Sequence, residues 1–568
     1  MHRKAWYQKP INICCLVTAV WLSQTPAEFC AASEGSVAGI TIRNTQQQEL
    51  RLPHRTEPDI KRPEEYRPPL QADTGAKLIV KGFYFSGQSI FSQAELLNVI
   101  ADQQGQELGL SDLQNLAGQL TDYIRSQGYL VAQTYIPEQK VQDGIIEFAI
   151  IIGEYDQVLI RNNTEVSLAV LQNQLGPLKS GGYIKKCELE RAVYLLGDVA
   201  GVDAKATLMP GRRTGTTDLL LDIRPRGKQL SGNFEINNYG SRFTGSNQVG
   251  LNITFNNPLQ KGDVIAVRAI KSESGLDSGN IGYSLPLTGQ GQKLGISFSR
   301  LNYELGEAFA DINAHGQSDS FELSYETNFL RSRNNNLSGR LSYSRKKLRD
   351  VVDGIPDTNK KENIWSLNLT GDNTDRWLGG GANAYALSYS RGKLSTDDAG
   401  DAYTANTAGS FAKWNLTFLR QQYLGERLSL LTAFNGQLAE KNLDPGEKLS
   451  LGGAYGVRAY PAGEASGDQG YVLNTELRWH LPVNTRLFDS CQLAGFYDTG
   501  YVRLNKESWP GFTGENSRRL SGAGLGIYLN KANQYALRLS YAWKIGSEEA
   551  LAASDKNGRF WIMGSSYF

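Results

Sequence analysis

The chain has 568 residues, of which 40% are hydrophobic and 10% aromatic, and it contains 60 glycines. Its 59 lysines and arginines balance 58 aspartates and glutamates, so charge gives no reason to expect a nucleic-acid partner. A mean hydropathy of -0.39 excludes a polytopic bundle of membrane helices. It fits a water-soluble repeat protein, or a β-barrel whose strands are apolar on one face only.

The first 32 residues predict an export signal. Three basic residues precede an apolar run at 11–22 that is too short to cross ~30 Å of hydrocarbon as a helix. Small residues follow at Ala31 and Ala32, which is the order of a cleavable secretory signal; a retained anchor is the alternative. Only Cys187 and Cys491 are then certain to remain, so we expect no disulfide framework and no metal site.

Residues 33–75 are polar and predict a short helix followed by a linker. The helix covers residues 40–52, and five prolines lie between residues 53 and 69. Chain that is rich in proline is extended and semi-rigid, so we expect a stiff linker here. A disordered tail is the alternative.

Residues 76–227 predict two tandem β-α-α-β-β modules, with the boundary after residue 153. In the first copy a strand at 78–85 precedes a helix that begins with a capping box at Ser92 and Glu95. A second capping pattern, Ser111 with Gln114, predicts the start of the next helix. The other predicted elements are strands at 130–136, 144–152, 157–161, 204–209 and 217–223, and helices at 166–175 and 187–196.

From residue 228 to residue 568 the hydrophobic pattern has a period of two, as at Val249, Leu251, Ile253 and Phe255. We count about 16 such segments, joined alternately by tight turns and long polar loops, which is typical of an outer-membrane barrel. The long loops are predicted at 304–319, 349–362, 395–410 and 547–557. A soluble sandwich or propeller is the alternative. The final residue, Phe568, suits a closing strand that barrel-assembly machinery recognises.

The longest connection, residues 442–470, is the sixth outer loop by this parity, and loops of such length are commonly functional. At its centre lie Val457, Arg458, Ala459 and Tyr460. If the loop folds into the lumen, the Arg458 guanidinium needs an anionic partner. Asp498, on the strand after next, carries a carboxylate that can bind a guanidinium through two parallel hydrogen bonds. A solvated arginine and a turn aspartate are the alternative.

These motifs resemble the TpsB transporters of two-partner secretion, the haemolysin-activator (ShlB, FhaC and HecB) branch of the Omp85 superfamily. The modules are similar to POTRA domains, and residues 237–245, 255–263 and 283–287 resemble the first strands of the family's barrel. Residues 457–460 resemble the V-R-G-[FY] tip of loop six, although Ala459 stands where the family has glycine. Because a β-carbon disfavours positive φ, we expect a differently shaped tip. Phe496, Asp498 and Gly500 resemble the partner motif in the barrel wall, and the family implies an Arg458–Asp498 contact.

The resemblance implies a mainly β membrane protein of the Gram-negative outer membrane. Two periplasmic α+β POTRA domains, at 76–153 and 154–227, precede a 16-stranded antiparallel transmembrane β-barrel at 228–568. The POTRA domains would recognise an unfolded TpsA-like exoprotein of the haemolysin, adhesin or contact-dependent toxin class, through its N-terminal secretion domain. The helix at 40–52 would match the family's plug helix. Outer-membrane lipid and the barrel-assembly machinery are the other expected partners.

Two other functions remain open at this point. An Omp85-type insertase would assemble other barrels, and a passive diffusion porin would pass solutes, although a solute pore has no use for periplasmic modules. The chain contains neither a Walker A sequence nor a G-x-S-x-G elbow, and its four histidines form no recognisable cluster. We therefore expect no enzymatic activity and no cofactor.

Overall fold

The computed structural model describes residue 52, residues 60–61 and residues 77–568, apart from residues 177, 288, 290, 354, 399 and 484. The predicted signal at 1–32, the plug helix at 40–51 and nearly all of the proline-rich linker lie outside the described residues. The described chain forms two small α+β modules and one closed barrel, so the predicted fold class is confirmed.

The first module contains two helices, a three-stranded sheet and a separate two-stranded sheet. Its strands, with the linker strand β1 (Ile60–Lys61) before them, are β2 (Lys77–Ile79), β3 (Gly82–Ser86), β4 (Glu107–Gly109), β5 (Ala132–Tyr135) and β6 (Ile145–Ile152), and its helices are α1 (Gln93–Val99) and α2 (Leu110–Ser126). β3 pairs in parallel with β6, and β5 pairs antiparallel to β6, so β3 and β5 are the sheet edges. The helices cover one face of this sheet with apolar side chains that include Leu96, Leu113, Leu116, Leu120 and Ile124.

The predicted helix starts have different outcomes. The capping box at α1 is confirmed: Ser92 N donates to Glu95 Oε2 at 2.8 Å and Glu95 N donates to Ser92 Oγ at 3.3 Å. Hydrogen bonds from Ser92 lower the pKa of the Glu95 carboxyl. The second predicted cap is wrong, since α2 begins directly after strand β4 and Ser111 falls inside its first turn. There the backbone N–H of Gly109 donates to Asp112 Oδ2 at 2.9 Å.

The second module repeats the arrangement and gains one strand from the linker. It comprises strands β7 (Glu154–Asn162), β8 (Val202–Pro210) and β9 (Thr216–Pro225) and helices α3 (Leu168–Asn173) and α4 (Lys186–Gly197). The sheet order is β1-β8-β9-β7, because Ile60 and Lys61 pair in parallel with Ala206 and Thr207. None of the described helices has the length and apolar character needed to cross a membrane.

The rest of the chain forms a barrel of 16 strands. Its strands are β10 (Leu230–Asn237), β11 (Gln248–Asn256), β12 (Val264–Ser272), β13 (Leu276–Pro286), β14 (Lys293–Glu304), β15 (His315–Arg331), β16 (Asn335–Val352), β17 (Ile355–Asp375), β18 (Gly381–Thr396), β19 (Gly409–Tyr423), β20 (Leu428–Ala439), and then, after the short β21 (Leu449–Ser450) and β22 (Ser466–Gly467), β23 (Gln469–Leu481), β24 (Ser490–Arg503), β25 (Ser517–Lys531), β26 (Tyr535–Lys544) and β27 (Gly558–Tyr567). Neighbours along the barrel pair antiparallel, and β27 closes the barrel on β10 through Met563–Tyr567 and Asn233–Asn237.

The alternating pattern corresponds to the two faces of the wall. Leu251, Trp365, Leu367 and Trp543 are exposed on the outside, where the bilayer lies, while their polar neighbours face the lumen. One predicted loop is wrong: residues 349–362 belong almost wholly to β16 and β17. Because wall strands that rise above the membrane are wet on both faces, polar sequence there does not indicate irregular chain.

The second module rests on the rim of the barrel that carries the tight turns. Arg331, at the end of β15, binds both carboxylate oxygens of Asp198 at 2.6 and 2.7 Å, and its guanidinium lies 4.9 Å from the Tyr194 ring centroid. Arg191 donates to the backbone oxygens of Asn328 and Phe329 at 2.7 and 3.2 Å. This rim is therefore the periplasmic one, and the longer loops lie on the opposite rim.

Candidate functional site

The sixth outer loop joins β20 to β23 and covers residues 440–468, two residues earlier than predicted at each end. Its two legs pair as a hairpin, since β21 and β22 align Leu449 with Gly467 and Ser450 with Ser466. Val457 N donates to the backbone oxygen of Leu451 at 2.9 Å, so the far end of the loop closes on itself. Loop six therefore has a defined structure of its own.

The tip of this loop lies inside the barrel and is packed against the wall. The side chains of Val457, Ala459 and Tyr460 are completely buried. They contact apolar side chains that face inward from four consecutive strands, Val472, Phe496, Leu520 and Ala542 among them. A dry contact of this kind fixes the tip at the wall of the lumen, away from solvent.

Arg458 and Asp498 meet at the centre of this contact. Arg458 Nε and Nη2 donate to Asp498 Oδ2 and Oδ1 at 2.8 and 2.7 Å, and the Arg458 backbone N–H donates to Oδ2 at 3.2 Å. Asn474 Nδ2 donates to Asp498 Oδ1 and to the backbone oxygen of Gly456, both at 2.8 Å. Each oxygen of the fully buried Asp498 thus accepts two hydrogen bonds, so the pair is directional as well as charged.

Glu476 is a second anionic partner of the arginine, and sequence reasoning missed it. Its Oε1 accepts from Arg458 Nη1 at 2.6 Å and from the Tyr528 hydroxyl at 3.2 Å, while Arg478 Nε donates to Oε2 at 2.7 Å. Glu476 stands two residues after Asn474 on the inward face of β23, and Asn474 is the register partner of Asp498. The period of two along β23 could have identified Glu476, because it places Glu476 on the same face as Asn474.

The other two residues of the wall motif also contact loop six. The guanidinium carbon of Arg458 lies 3.5 Å from the centroid of the Phe496 ring, which is a cation–π contact in a dry site. Gly500 leaves room for a leg of the loop, because a β-carbon there would come within 2.4 Å of Leu451 Cδ1. Phe496 therefore stacks on the Arg458 guanidinium, Asp498 binds it, and Gly500 leaves room for Leu451.

Ala459, which stands where the family has glycine, is not among the described residues with positive φ. Its β-carbon therefore carries no backbone penalty, and the differently shaped tip stays a prediction. The space for its methyl group comes from Gly522 on β25. A β-carbon at Gly522 would lie 2.5 Å from the Ala459 β-carbon.

The tip also contacts the last strand and the last outer loop. Trp561 Nε1, on β27, donates to the backbone oxygen of Arg458 at 2.7 Å, and the Tyr460 hydroxyl donates to that of Glu548 at 3.0 Å. Glu464 accepts hydrogen bonds from Leu551 N and Ala552 N at 2.8 and 3.0 Å. Loop six is thus joined to the C-terminal end of the barrel sequence.

The arrangement holds a loop, and it contains no nucleophile next to a base. Within the described ranges, no cluster of three His, Cys, Asp or Glu side chains could ligate a metal ion. Cys187 and Cys491, the two cysteines in those ranges, are free thiols on α4 of the second module and on the barrel wall.

Comparisons with known proteins agree with this architecture. A family model described as "Haemolysin secretion/activation protein ShlB/FhaC/HecB" matches residues 215–529, and one described as "POTRA domain, ShlB-type" matches residues 78–153. "Heme/hemopexin transporter protein HuxB" of Haemophilus influenzae (strain 86-028NP) is 28% identical over 477 residues, which cover 82% of this chain and 83% of the relative. "Outer membrane transporter CdiB" of Dickeya dadantii is 22% identical over 432 residues, covering 73% and 76%.

The fold is also found in a solved structure. CdiB from Escherichia coli aligns with a TM-score of 0.71 at 19% identity, over 89% of this chain and 93% of that chain, a likeness that concerns the fold alone. The ShlB/FhaC/HecB model spans more than half of the sequence. The chain therefore belongs to the ShlB/FhaC/HecB haemolysin secretion/activation family and is a two-partner secretion transporter of the outer membrane, with its POTRA domains in the periplasm.

Proposed function

We propose that Arg458 and Asp498 lock the tip of loop six to the barrel wall and that export of the exoprotein depends on this lock. The observation that carries the proposal is the buried two-point contact between the guanidinium and the carboxylate. A barrel of 16 strands whose lumen also contains a folded loop has no room for a globular domain. The cargo therefore crosses in an extended form.

The periplasmic modules offer places where extended cargo can pair. β5, from Ala132 to Tyr135, is an edge strand of the first module. Side chains of α2 already bind two of its backbone groups, since Thr134 N donates to Thr121 Oγ1 at 2.9 Å and Arg125 Nε donates to the Ala132 oxygen at 3.1 Å, so extended cargo would pair with the groups that remain or displace these side chains. Strand addition to such an edge recognises backbone first and side chains second. This suits a transporter that must bind a chain before the chain has folded.

The cargo in this proposal is a large TpsA-like exoprotein with an N-terminal secretion domain, of the haemolysin, adhesin or contact-dependent toxin class. The family description, which names haemolysin, supports this class, and HuxB, which is named for heme and hemopexin, extends it. The transporter itself has no enzymatic role. Outer-membrane lipid surrounds the apolar band of the wall, and the barrel-assembly machinery inserts the barrel.

The domain division belongs to the proposal as well. It comprises a signal at 1–32, a plug helix and linker at 33–75, POTRA domains at 76–153 and 154–227, and the barrel at 228–568. The plug rests on the family resemblance. Deletion of residues 36–52 should raise single-channel conductance in planar bilayers, and unchanged conductance would remove the plug from the proposal.

One depletion experiment separates this function from its two rivals. Cells are depleted of the transporter, and mass spectrometry then measures the proteins of the culture medium and of the outer membrane. Loss of one large exoprotein from the medium, with other barrels unchanged, is the expected result. A fall in many outer-membrane proteins would instead indicate an insertase, and an unchanged medium would leave only a diffusion pore.

A further inference from the structure

Loop six is held at a second place, residues 444–450, which we call the stem. A 3₁₀ turn at Pro445–Glu447 begins the stem, and the Asp444 side chain caps it by accepting a hydrogen bond from Gly446 N at 3.0 Å. β21 follows directly. The turn brings the carboxylates of Asp444 and Glu447 onto the barrel wall, and each of these residues is only 5% exposed.

Three lysines of the wall bind these two carboxylates. Lys413, on β19, lies 2.7 Å from Glu447 Oε2, and Lys346, on β16, is in close contact with Glu447 Oε1. Lys360, on β17, lies 2.8 Å from Asp444 Oδ2. The stem is thus joined to strands that make no contribution to the Arg458–Asp498 lock.

The backbone of the stem is bound at the same place. Lys413 Nζ donates to the backbone oxygen of Glu447 at 2.8 Å, and Gln437 Nε2 donates to the same atom at 3.0 Å. Glu362, the register partner of Lys346 on β17, lies 3.5 Å from the Lys346 ammonium. Three lysines therefore face three carboxyl groups.

Buried ion pairs of this kind add little net stability, because desolvation offsets their attraction. Apolar side chains would hold the stem to the wall at least as tightly. What the charges add is a defined position, since only one placement of the turn satisfies every lysine. We propose that Asp444 and Glu447, with Lys346, Lys360 and Lys413, are positioning residues for export that fix the stem of loop six against β16–β19.

The stem leads directly into the part of the loop that borders the remaining space of the lumen. With tip and stem both attached, a cavity of about 60 Å³ lies between residues 452–456 of the loop and strands β10–β12. Its wall presents polar side chains that can match a peptide backbone, namely Glu235, Asn237, Gln248, Asn252 and Arg268. A displaced stem would change the size of this cavity.

The test uses the purified full-length chain in planar bilayers with KCl as the only permeant solute. Lys413→Glu places a carboxylate beside Glu447, and Glu447→Lys places a third ammonium beside Lys346 and Lys413. We expect each single variant to raise the displaced population of the stem by a factor on the order of a hundred, seen as frequent additional open levels. The double variant Lys413→Glu with Glu447→Lys should show few additional open levels, because opposite charges face each other again.

Arg340→Glu is the matched control, since it reverses one charge of an ion pair between two wall strands, Arg340 with Glu322 at 2.5 Å. Heat-modifiable mobility in electrophoresis shows that each variant has a folded barrel. The proposal is overturned if either single variant conducts like the unmodified chain, or if the double variant conducts like the worse single one.

The inference rests on the proposed role of loop six, and Arg458→Ala in the same bilayers separates the two. If Arg458→Ala adds open levels and the stem variants do not, the tip holds the loop alone and only the stem proposal fails. If Arg458→Ala also leaves export of the exoprotein intact in cells, the proposed function fails as well.

Discussion

The tip and the stem of loop six are attached to the wall with opposite polarity. At the tip the loop supplies the cation, Arg458, and the wall supplies carboxylates from Asp498 and Glu476. At the stem the loop supplies carboxylates, and the wall supplies ammonium groups from Lys346, Lys360 and Lys413. A loop that carried one sign throughout could slide along a wall of the opposite sign. Because the tip is cationic and the stem is anionic, only one alignment of the loop on the wall pairs both with opposite charges.

The two attachments also differ in geometry. A guanidinium binds a carboxylate through a fixed fork, whereas an ammonium is a point charge that accepts many directions. Arg458 makes its fork beneath the Phe496 ring and among completely buried neighbours. The wall lysines that hold the stem bind as point charges of the second kind, each through its single ammonium nitrogen. The tip is therefore the more rigid attachment, and each prediction below tests that difference.

Arg458→Ala should have the largest effect. It leaves Asp498 and Glu476 buried without their common cation, and breaking a buried pair costs ~3–5 kcal/mol. We expect export to be lost while the barrel still inserts in the outer membrane, as measured by exoprotein in the medium and transporter in the membrane fraction. Arg458→Lys keeps the charge without the fork and should recover only part of the export. Full export by Arg458→Ala would contradict the lock.

Asp498→Asn should come next. The side chain keeps its shape but loses its charge, and the oxygen that becomes an amide NH2 no longer accepts its two hydrogen bonds. The other oxygen still accepts, and Arg458 retains Glu476 at 2.6 Å. A hydrogen bond to a charged group contributes about 1.5–3 kcal/mol, so the loss should be smaller than for Arg458→Ala. The free energy of urea unfolding in detergent micelles measures it. Glu476→Gln is the companion variant, and an effect larger than that of Asp498→Asn would reverse the assigned order of the two partners.

Gly522→Ala tests the packing of the tip without touching a charge. Its new methyl group would meet the Ala459 β-carbon at 2.5 Å, and overpacking of this kind costs ~1–3 kcal/mol. Ala459→Gly removes the opposing methyl group and should restore unfolding free energy and export when combined with Gly522→Ala. If the double variant is no better than Gly522→Ala, the two residues do not share this space.

Arg340→Ala should have the smallest effect. Its pair with Glu322 is partly exposed on both sides, and pairs of this kind contribute about 0–1 kcal/mol. Urea unfolding and export should both match those of the unmodified chain. A loss of unfolding free energy comparable to that of Asp498→Asn would show that ion pairs of the lumen wall stabilise the barrel generally. The ion pairs of the tip would then contribute no more than the others.

Local patterns predicted most of the fold correctly. The alternation at Val249–Phe255 corresponds to β11, and the capping box at Ser92 starts α1. These features depend on neighbours a few residues apart. The parity of turns and loops also placed loop six on the correct rim, because an antiparallel barrel must alternate its connections.

The missed features join residues that are far apart in the chain. Glu447 meets Lys346 across 101 positions of the chain, and Asp444 meets Lys360 across 84. In sequence each of these charges belongs to the wet face of a strand or loop, and nothing local distinguishes it from a solvated one. The linker strand β1 has the same difficulty, since its two residues pair with Ala206 and Thr207 in a different module.

The glycines of the wall have a consequence for where the tip of loop six rests. Gly500 and Gly522 form shallow seats for Leu451 and Ala459, and Gly524 does the same for the ring of Phe496, which a β-carbon there would meet at 2.3 Å. A tip displaced from the wall would leave voids at Gly500 and Gly522 that only Leu451 and Ala459 fill well. The wall is thus shaped to fit the loop, and this fit favours one resting position of the tip.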